Sequence, residues 1–577
     1  MLHKKEDFEA SNIPEEFYSP MPAGYRIGQT KYIVITGSVI SGIGKGTISS
    51  TLAKLLHDRK MKVEPMKLEA YLNVDAGTLN PFRHGEVFVL DDGTETDLDL
   101  GTYERLLDKS FTKDNFVTSG RIYSQIIEKE RAGKYLGKDV QFIPHVTGEI
   151  KLAVRNLAVK TGADVILIEI GGTVGDYENM FAMEALRELS YEEGKENVCF
   201  INVTYILEPG SLGEQKSKAA QLGIKALMEI GIQPDVIVCR SESPIGQSVK
   251  EKISLHANVS LRRVFGVHDI KNIYLLPLDL RDEGFDDAVC EILNIKEKFH
   301  IEGNGSLQIW NDKMNVDEKE PEIVIGIAGK YLGASDTYAS ITKSLEHCSF
   351  FYKKNIKIKW IDTAEIERGT ISVQGSLNNV HGLIVPGGFG SRGVEGKISC
   401  IKYCRENNIP FLGLCYGFQL ALVEYARNVC ELEGAHTAEI DPHTRYNVID
   451  ILPEQKSVKG FGGSMRLGGK DVFIKPGTIA RRIHNSAIIR RRFRHRYECN
   501  PEFIETFEKK GMVFSGCDEP GKIMQILEIP NHRFFMAAQF HPEFTSRPGK
   551  PDEIFLEFVR KAGESKEIEL ALSYKLA

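Results

Sequence analysis

One cysteine in the C-terminal half stands in a setting that favours nucleophilic chemistry. Cys415 is central in Gly413-Leu414-Cys415-Tyr416-Gly417, which follows the strand-like PFLGLC and precedes FQLALVEYA, a segment with helical periodicity. The glycines permit a sharp turn, and the start of a helix together with a nearby imidazole favours a thiolate. The sequence predicts Cys415 as a nucleophile; a packed cysteine at the end of a strand is the alternative.

A histidine and a glutamate farther along the chain could serve as a base and its orienting acid. His541 and Glu543 stand two residues apart after a strand-like segment, so both side chains can project to the same side. His541 would take the thiol proton, while Glu543 would hold the ring and stabilise its charged form. Alone, this HPE sequence could equally be a surface turn.

A glycine turn after another apolar strand could supply the third part of such a site. The sequence VPGGFG at positions 385–390 exposes backbone amides, so Gly387 and the amide of Tyr416 are predicted to form an oxyanion hole. In their order, PGGFG, GLCYG and FHPEF resemble a class I glutamine amidotransferase domain across residues 322–563.

That resemblance implies which residues bind glutamine: Gly388, Gln419, Glu439 and Arg496. Arg496 also belongs to the basic run RRRFRHR, for which a solvated surface is the alternative. Tyr416 stands where the family usually carries leucine. Because the backbone amide is the functional group, we expect this difference to matter little.

A second glycine-rich turn lies near the start of the chain. GSVISGIGKGT, residues 37–47, links a strand to a helix, and its amides and the helix dipole could cradle a polyphosphate, with Lys45 at the β- or γ-phosphate. The spacing departs from the standard P-loop, because Val39 stands where the first glycine belongs and Gly46 separates Lys45 from Thr47.

The segments that follow give this turn a context. KLEAYLNVD, HGEVFVLDDG, ETDLDLG, YLGKDVQFIPH and IEIGGTVGD come next in that order. With the amidotransferase motifs behind them, residues 31–563 resemble the CTP synthase family. The resemblance implies that ATP phosphorylates the 4-oxygen of UTP and that ammonia released from glutamine, passed internally, then forms CTP. It also implies Mg²⁺, activation by GTP, inhibition by CTP, and a homotetramer that in some members stacks into filaments.

The same resemblance assigns roles to single residues. Asp99 and Glu169 would hold Mg²⁺, for which carboxylate oxygens are suited, and Lys45 and Lys67 would neutralise charge at the transferring phosphoryl group. The ATP-binding residues would be Ser41, Gly42, Ile43, Gly44, Lys45, Gly46, Thr47 and Asp99. The UTP and CTP contacts would be Ser41, Asp176, Glu178, Lys216, Lys218, Gln221 and Lys252, the GTP contacts Phe389 and Arg392, and the ammonia passage His84 and Val87.

Each of these roles has a plainer alternative. Without the resemblance, Asp99 could be a solvated turn, Glu169 a helix cap, His84 an ordinary packed residue and the lysines a solvated face. The chain also departs from the family pattern near these residues, at Ser38, Glu69, Ala70, Ala219, Ala220 and Ser391. The first five changes lie at the expected nucleotide site, where they would alter nucleotide affinity or feedback inhibition. Ser391 replaces the usual tyrosine of the lid, where it would alter activation by GTP.

The elements that must position these residues follow one pattern. KYIVITGS at 31–38 and EIVIGIAGK at 322–330 each read as the first strand of an α/β domain. We predict two domains, each a mainly parallel sheet flanked by helices; the resemblance makes the first a P-loop amidoligase similar to dethiobiotin synthetase and the second a class I glutaminase. The predicted segments are an extension at 1–30, the amidoligase at 31–300, a linker without helical or strand period at 301–321, the amidotransferase at 322–563, and a charged, mobile tail at 564–577.

Composition sets outer limits on function. The 577 residues, 42% hydrophobic and 27% charged, exceed one hydrophobic core. The ten cysteines show no CxxC pairs or histidine clustering, which argues against a zinc site and a disulfide framework. A net charge of −7 argues against nucleic-acid binding. With no apolar run of roughly 20 residues and no signal-like segment, we expect no membrane partner and a cytoplasmic location.

Two other functions are compatible with parts of the sequence. A cobyrinate-type amidotransferase also joins an ATP-dependent amidoligase to a glutaminase-like domain, but usually lacks the HPE pair. A filament-forming structural protein that has lost catalysis would lack the nucleophile or a metal carboxylate. The retained Cys415, His541 and Glu543, with the stretch from LDDG to DLDLG, favour CTP synthase.

Overall fold

The structure is a computed structural model that describes residues 18–210, 213–295, 299, 305–317, 319–320, 322–330, 335–451, 465–519 and 521–576. The chain divides into two compact units. The first comprises Met1–Asp75 and Thr102–Asp312, and the second comprises Ala76–Gly101 and Lys313–Ala577. Most of the predicted extension, residues 1–17, lies outside the described residues. The predicted domain boundaries stay a prediction.

The first unit is built on one parallel sheet. Numbered along the whole chain, its strands are β1 (Lys31–Gly37), β2 (Val63–Glu69), β5 (Phe116–Thr118), β6 (Val165–Ile170), β7 (Val198–Tyr205), β8 (Val236–Ser241) and β9 (Val264–His268). The seven strands run in the order β5-β2-β6-β1-β7-β8-β9, and all neighbouring pairs are parallel. The central strands β1 and β6 are buried almost throughout, as expected for a parallel sheet covered on both faces.

Helices connect and cover these strands. They are α1 (Lys45–Asp58), α4 (Ser119–Arg131), α5 (Thr147–Thr161), α6 (Met180–Glu193), α7 (Lys218–Glu229), α8 (Gln247–Ala257), α9 (Leu276–Asp282) and α10 (Phe285–Ile292). Two more helices, α3 (Leu98–Leu107) and α11 (Gly305–Met314), each contain residues of both units.

The second unit contains a larger, mixed sheet. Its strands are β10 (Glu322–Gly329), β11 (Asn355–Asp362), β12 (Gly382–Val385), β13 (Phe411–Leu414), β16 (Arg466–Ile474), β17 (Ile488–His495), β19 (Val513–Cys517), β20 (Met524–Glu528) and β21 (Phe535–Ala538). Their order is β11-β10-β12-β13-β21-β20-β19-β16-β17, parallel from β11 to β21 and antiparallel beyond.

Shorter strands and the remaining helices complete this unit. The strands are β3 (Phe88–Val89) and β4 (Glu95–Thr96), paired as a hairpin, and β14 (His436–Thr437), β15 (Asn447–Ile451) and β18 (Tyr497–Cys499). The helices are α2 (Pro81–His84), α12 (Ala339–Tyr352), α13 (Thr363–Glu367), α14 (Val373–Leu377), α15 (Val394–Glu406), α16 (Tyr416–Asn428), α17 (Ile479–His484), α18 (Ile504–Lys509) and α19 (Glu553–Leu576). The predicted α/β class with two sheet-containing domains is confirmed, but the second sheet is not mainly parallel, since its four pairs from β21 to β17 are antiparallel.

The predicted linker contains a helix, so the expectation of no regular period there was wrong for residues 305–314. Leu307 and Trp310 lie on one face of α11, three residues apart, a spacing that the sequence analysis overlooked. Leu307 is fully buried. The Trp310 indole donates a hydrogen bond to the Tyr274 carbonyl at 2.8 Å, and the Lys54 ammonium lies 4.3 Å from the indole centroid.

At the other end of the chain, the predicted tail continues the helix α19 through Leu576. None of the helices in the described ranges is long and apolar enough to span a membrane.

The described part of the extension, residues 18–30, packs within the first unit. The Tyr18 hydroxyl donates to the Glu149 carboxylate at 2.7 Å, and its ring centroid lies 5.0 Å from that of His145. A side chain on Gly148 would clash with the Tyr18 ring. The sequence alone suggested no role for this segment, which the structure makes part of the packing around α5.

Candidate functional site

The predicted nucleophile occupies a strained turn between a strand and a helix. Strand β13 ends at Leu414 and helix α16 begins at Tyr416, with Cys415 between them at φ 51° and ψ −95°. A positive φ is rare for a residue other than glycine and often marks a functional position. The Cys415 amide donates to the Ala538 carbonyl at 2.7 Å, which ties the turn to strand β21.

Both glycines around the cysteine are required by close packing. A Cβ on Gly413 would lie 2.8 Å from the carbonyl carbon of Gly417. A Cβ on Gly417 would clash with the Val385 carbonyl oxygen at the end of β12. The Gly-x-Cys-x-Gly spacing therefore allows α16 to start directly against the neighbouring strand.

Besides His541, two polar groups of the described residues contact the Cys415 sulfur. Its thiol donates to the Arg494 carbonyl at 3.5 Å, and the sulfur accepts from the Gln539 side-chain amide at 3.6 Å. The sequence assigned neither residue a role, although Gln539 stands two positions before His541. Together the two contacts fix the direction in which the sulfur points.

His541 and Glu543 form the expected pair. The His541 Nδ1 lies 2.7 Å from the Glu543 Oε1, and both side chains are buried. Burial lowers the pKa of His541, but the negative charges of Glu543 and Cys415 outweigh burial and raise the pKa to about 10. The other ring nitrogen, Nε2, is buried without a hydrogen-bond partner within the described residues. That nitrogen can exchange a proton with the Cys415 sulfur, and the raised pKa describes the state in which His541 holds the proton and the sulfur is charged.

The glycine turn at residues 385–390 lies beside Cys415 and His541. A Cβ on Gly387 would lie 3.0 Å from the His541 Cε1 and 3.7 Å from the Cys415 Cβ. The structure therefore brings together three motifs that are far apart in sequence. The Tyr416 amide is the first of helix α16, and the first amides of a helix have no acceptor within it. This geometry suits the predicted oxyanion hole at Gly387 and Tyr416.

The residues predicted to bind glutamine lie around this centre. The Glu439 Oε1 accepts from the Gly390 amide at 2.8 Å, and burial raises the pKa of Glu439. The Gln419 Nε2 donates to the Tyr497 carbonyl at 2.9 Å, while its Oε1 is buried without a partner in the described ranges. Arg496 lies between β17 and β18, half-buried.

A buried lysine that the sequence analysis missed lies beside Gly388. Lys397 on α15 is 1% exposed, and its Nζ would lie 3.8 Å from a Cβ on Gly388. The same ammonium lies 5.1 Å from the Tyr416 ring centroid, and the Tyr416 hydroxyl donates to the Gly390 carbonyl at 3.1 Å. Leucine, the usual family residue at 416, could make neither contact.

The predicted GTP contacts lie on the exposed side of the glycine turn. Phe389 is 54% exposed, and the Lys330 ammonium lies 5.1 Å from its ring centroid. The Arg392 Nη2 donates to the Lys330 carbonyl at 2.5 Å. Ser391, between the two predicted contacts, is exposed.

The residues predicted for the ammonia passage also belong to the second unit. His84 is the last residue of α2 and is exposed. Val87 is 7% exposed and directly precedes strand β3.

In the first unit, the predicted phosphate turn connects β1 to α1. Its backbone takes three positive φ angles, at Val39 (81°), Gly42 (72°) and Gly44 (85°). Val39 thus adopts a left-handed backbone conformation that glycine takes more easily. Lys45 is 8% exposed, and its Nζ donates to the Gly172 carbonyl at 2.7 Å. The remaining ATP-binding candidates Ser41, Ile43, Gly46 and Thr47 lie in this turn or in the first turn of α1.

Glu169 is held in a buried polar cluster behind this turn. Lys67 on β2 is the register partner of Glu169 on β6, and the Lys67 Nζ lies 2.7 Å from the Glu169 Oε1. The Ser49 and Tyr103 hydroxyls each donate to the Glu169 Oε2 at 3.0 Å. Glu169 is therefore part of a strand, and the helix-cap alternative was wrong.

A magnesium ion would need oxygen ligands near the phosphate turn. The described residues contain no group of three or more histidine, cysteine, aspartate or glutamate side chains that could hold a metal ion. Mg²⁺ commonly uses one or two carboxylates and takes its other ligands from phosphates and water. The Glu169 carboxylate in the first unit therefore suits an ion bound together with a nucleotide, and Asp99, in the first turn of α3, stays a ligand that the family resemblance implies.

The candidate UTP and CTP contacts follow strands that are neighbours in the sheet. Strands β6 and β7 flank β1, so the connections after all three leave the same edge of the sheet. Asp176 and Glu178 follow β6, while Lys216, Lys218 and Gln221 lie after β7, on the connection into α7 and on that helix. Lys252 lies farther along, on α8.

Two residues that depart from the family pattern, Ser38 and Glu69, make polar contacts with neighbouring side chains. Ser38 packs against Gly223 of α7, where a Cβ added to the glycine would lie only 2.6 Å from the Ser38 Cβ. The Ser38 hydroxyl donates to the Asn202 side chain at 3.2 Å. The longer carboxylate of Glu69 lies 3.3 Å from the Lys67 Nζ, in a space that a Cβ on Gly171 would fill. Nothing in the structure explains the changes at Ala70, Ala219 and Ala220.

Known proteins match both halves of the chain. Residues 31–295 match the family model described as CTP synthase N-terminus, and residues 334–561 match the one described as glutamine amidotransferase class-I. The CTP synthase of Thermococcus kodakarensis is 48% identical over 539 residues, covering 93% of this chain and 99% of the relative. The CTP synthase of Bacillus subtilis is 45% identical over 537 residues, with the same coverage.

Among solved structures, the glutaminase domain of Trypanosoma brucei CTPS with bound acivicin is 34% identical. It covers 42% of this chain and 94% of that domain, with a TM-score of 0.39.

Proposed function

The chain belongs to the CTP synthase family, whose members are glutamine-hydrolysing ligases, and from that premise we propose that it aminates UTP to CTP. ATP would activate UTP, and glutamine would supply the ammonia. The observation that carries the proposal is the convergence of Cys415, His541, Glu543 and Gly387, from three separate motifs, at one buried turn.

Ammonia release would follow from this convergence. His541 takes the Cys415 proton at Nε2, and the sulfur attacks the side-chain amide carbon of glutamine. The amides near Gly387 and Tyr416 stabilise the oxyanion that forms. His541 then returns the proton to the departing ammonia. Water, deprotonated by the same ring, hydrolyses the thioester to glutamate.

The synthetase step would use residues of the first unit. The γ-phosphoryl group of ATP passes to the 4-oxygen of UTP, and ammonia then attacks C4 as phosphate leaves. Lys45 and Lys67 would offset charge on the transferring group, and both are almost fully buried beside the glycine turn. Bound Mg²⁺, for which the family resemblance assigns Glu169 and Asp99 as ligands, would supply additional positive charge at the phosphates.

Regulation and assembly belong to the same proposal. We propose GTP activation through Phe389 and Arg392, inhibition by CTP at the UTP site, and internal passage of ammonia past His84 and Val87. A homotetramer, filament formation and a cytoplasmic location are carried from the family resemblance alone.

The test follows the absorbance change when UTP is converted to CTP with ATP and Mg²⁺. Wild type and Cys415→Ala each receive either glutamine with GTP or ammonium. We expect wild type to make CTP from both nitrogen sources and Cys415→Ala from ammonium only. Cys517→Ala, which removes a half-buried cysteine elsewhere in the second unit, is the matched control and should behave as wild type.

Two outcomes would contradict the proposal. If neither protein makes CTP from ammonium, the synthetase assignment fails and a cobyrinate-type amidotransferase becomes the better explanation. If Cys415→Ala still uses glutamine, the nucleophile has been assigned incorrectly.

A further inference from the structure

Three arginines of strand β17 hold the β3–β4 hairpin. Arg490, Arg492 and Arg494 alternate along the strand, so their side chains share one face. We call them the arginine row, and we call residues 88–96 the hairpin. Arg490 forms an ion pair with Asp91 at 2.8 Å, and Arg494 forms one with Glu95 at 2.7 Å. Between them, Arg492 donates a hydrogen bond to the Val89 carbonyl at 3.1 Å. The basic run is therefore not simply a solvated surface.

The backbone of the same strand touches the catalytic residues. The Arg492 carbonyl accepts from the His541 amide at 2.9 Å. The Arg494 carbonyl accepts from the Cys415 thiol at 3.5 Å. Each of these two arginines therefore contacts the hairpin through its side chain and a residue of the triad through its carbonyl.

The two ends of the row differ in burial. Glu95 is 1% exposed, and the Arg494 side chain is 20% exposed. The Arg494 Nη2 also donates to the Gly77 carbonyl at 3.1 Å, which fixes the guanidinium at two points. At the other end, the Arg490 and Asp91 side chains are 54% and 39% exposed. Breaking a buried pair has large consequences, whereas an exposed pair contributes little.

The space around Glu95 leaves it little freedom. A side chain on Gly77 would clash with the Glu95 carboxylate. The second carboxylate oxygen, Oε2, is buried without a hydrogen-bond partner within the described ranges. A buried carboxylate oxygen without a partner is costly, so the Arg494 guanidinium is the contact that holds this charge in place.

We infer that Glu95 and Arg494 form a positioning pair for Cys415, which holds the Arg494 carbonyl against the sulfur and makes glutamine hydrolysis depend on the seating of the hairpin. This inference rests on the proposed function. The thiol of Cys415 is oriented by a carbonyl whose own residue is anchored to Glu95. Displacing the hairpin moves that carbonyl, and the sulfur loses its alignment for attack. The hairpin begins immediately after Val87. Displacing it would therefore disturb both the proposed ammonia passage and the position of the nucleophile.

The test compares Glu95→Gln and Arg494→Lys in the full chain. Glutamine keeps the size of Glu95 but removes its charge, and lysine keeps the charge of Arg494 but cannot reach Glu95 and the Gly77 carbonyl together. Glutamate release from glutamine is measured with ATP and UTP present, beside CTP formation from ammonium. We expect kcat for glutamate release to fall about 10- to 100-fold in each variant, with KM within about twofold, as for a misaligned nucleophile. CTP formation from ammonium should stay within about twofold, because this route does not use Cys415.

The double variant and a control sharpen the result. Glu95→Gln/Arg494→Lys should be no slower than the slower single variant, since both changes break the same contact. Asp91→Asn breaks the exposed pair at the far end of the row and should leave both activities within about twofold of wild type.

Two results would overturn the inference. One is wild-type kcat for glutamate release in both single variants. The other is an equal loss of glutamine- and ammonium-dependent rates, which would mean that the pair only stabilises the fold. If wild type itself makes no CTP from ammonium, the proposed function fails, while glutamate release still tests the pair.

Discussion

Replacing Glu543 with glutamine removes the charge that holds His541 while leaving the size of the side chain nearly unchanged. In the wild type, burial lowers the pKa of His541, but the charges of Glu543 and Cys415 raise it to about 10. Without the Glu543 charge, burial still disfavours the charged ring of His541, and only the charge of the Cys415 sulfur still favours it. The pKa of His541 is therefore expected to fall toward or below its ordinary value of about 6.5.

The size of the effect follows from this shift. If the pKa falls by at least about two units, the imidazolium loses about 3 kcal/mol of stabilisation. His541 becomes charged when it takes the Cys415 proton, so the loss appears in the barrier. We expect kcat/KM for glutamine to fall about a hundredfold, whereas CTP formation from ammonium should be unchanged.

Alkylation of Cys415 by iodoacetamide across pH reports the same change directly. The His541 pKa is raised on folding, so the stability contributed by its charged form is complete below about pH 6.5 and is lost as the pH rises through about 10. In Glu543→Gln alkylation near neutral pH should be slower, because less imidazolium is present to support the anionic sulfur that reacts. Glu553→Gln is the control, since Glu553 lies 3.5 Å from His484 in another part of the second unit. Glutamine hydrolysis by Glu543→Gln within about threefold of wild type would refute the reasoning, because that is under 1 kcal/mol.

Three further predictions concern the two units separately. Gly417→Ala places a Cβ against the Val385 carbonyl oxygen, and should destabilise the second unit by about 3 kcal/mol or more in urea unfolding; unchanged stability would contradict the packing argument. Glu169→Gln leaves the buried Lys67 ammonium without its charge partner, and should abolish CTP formation from ammonium while glutamate release persists; equal loss of both activities would indicate misfolding. Lys397→Met tests the buried amine, whose pKa is lowered to about 7 by burial and by the nearby Lys330 charge. Between about pH 7 and 10.5 the unfolded state binds a proton that the folded state has lost, so wild-type stability should rise with pH by up to about 5 kcal/mol. The rise should be absent in Lys397→Met, and a parallel rise in both proteins would exclude this amine as its source.

The sequence by itself determined the local parts of both sites. Cys415 between two glycines, the His541-Glu543 spacing and the glycine turn after β1 each depend on a few neighbouring residues and on backbone conformations that these residues favour. Their order along the chain carried the family resemblance, and the alternation of buried strands with helices was enough for the α/β class. The helix at 305–314 shows the limit, because its short apolar period was hidden among polar residues.

Tertiary structure alone decided which distant residues meet. That Gly387 lies against His541, or that Lys397 lies over the Tyr416 ring, depends on which strands and helices become neighbours. The same applies to the basic run. Its period of two fits one face of a strand, but only the packing of the 88–96 hairpin against that face separates the arginine row from a solvated surface. Periodicity reveals which face of an element is buried, whereas the partner of that face is chosen by the packing of the whole unit.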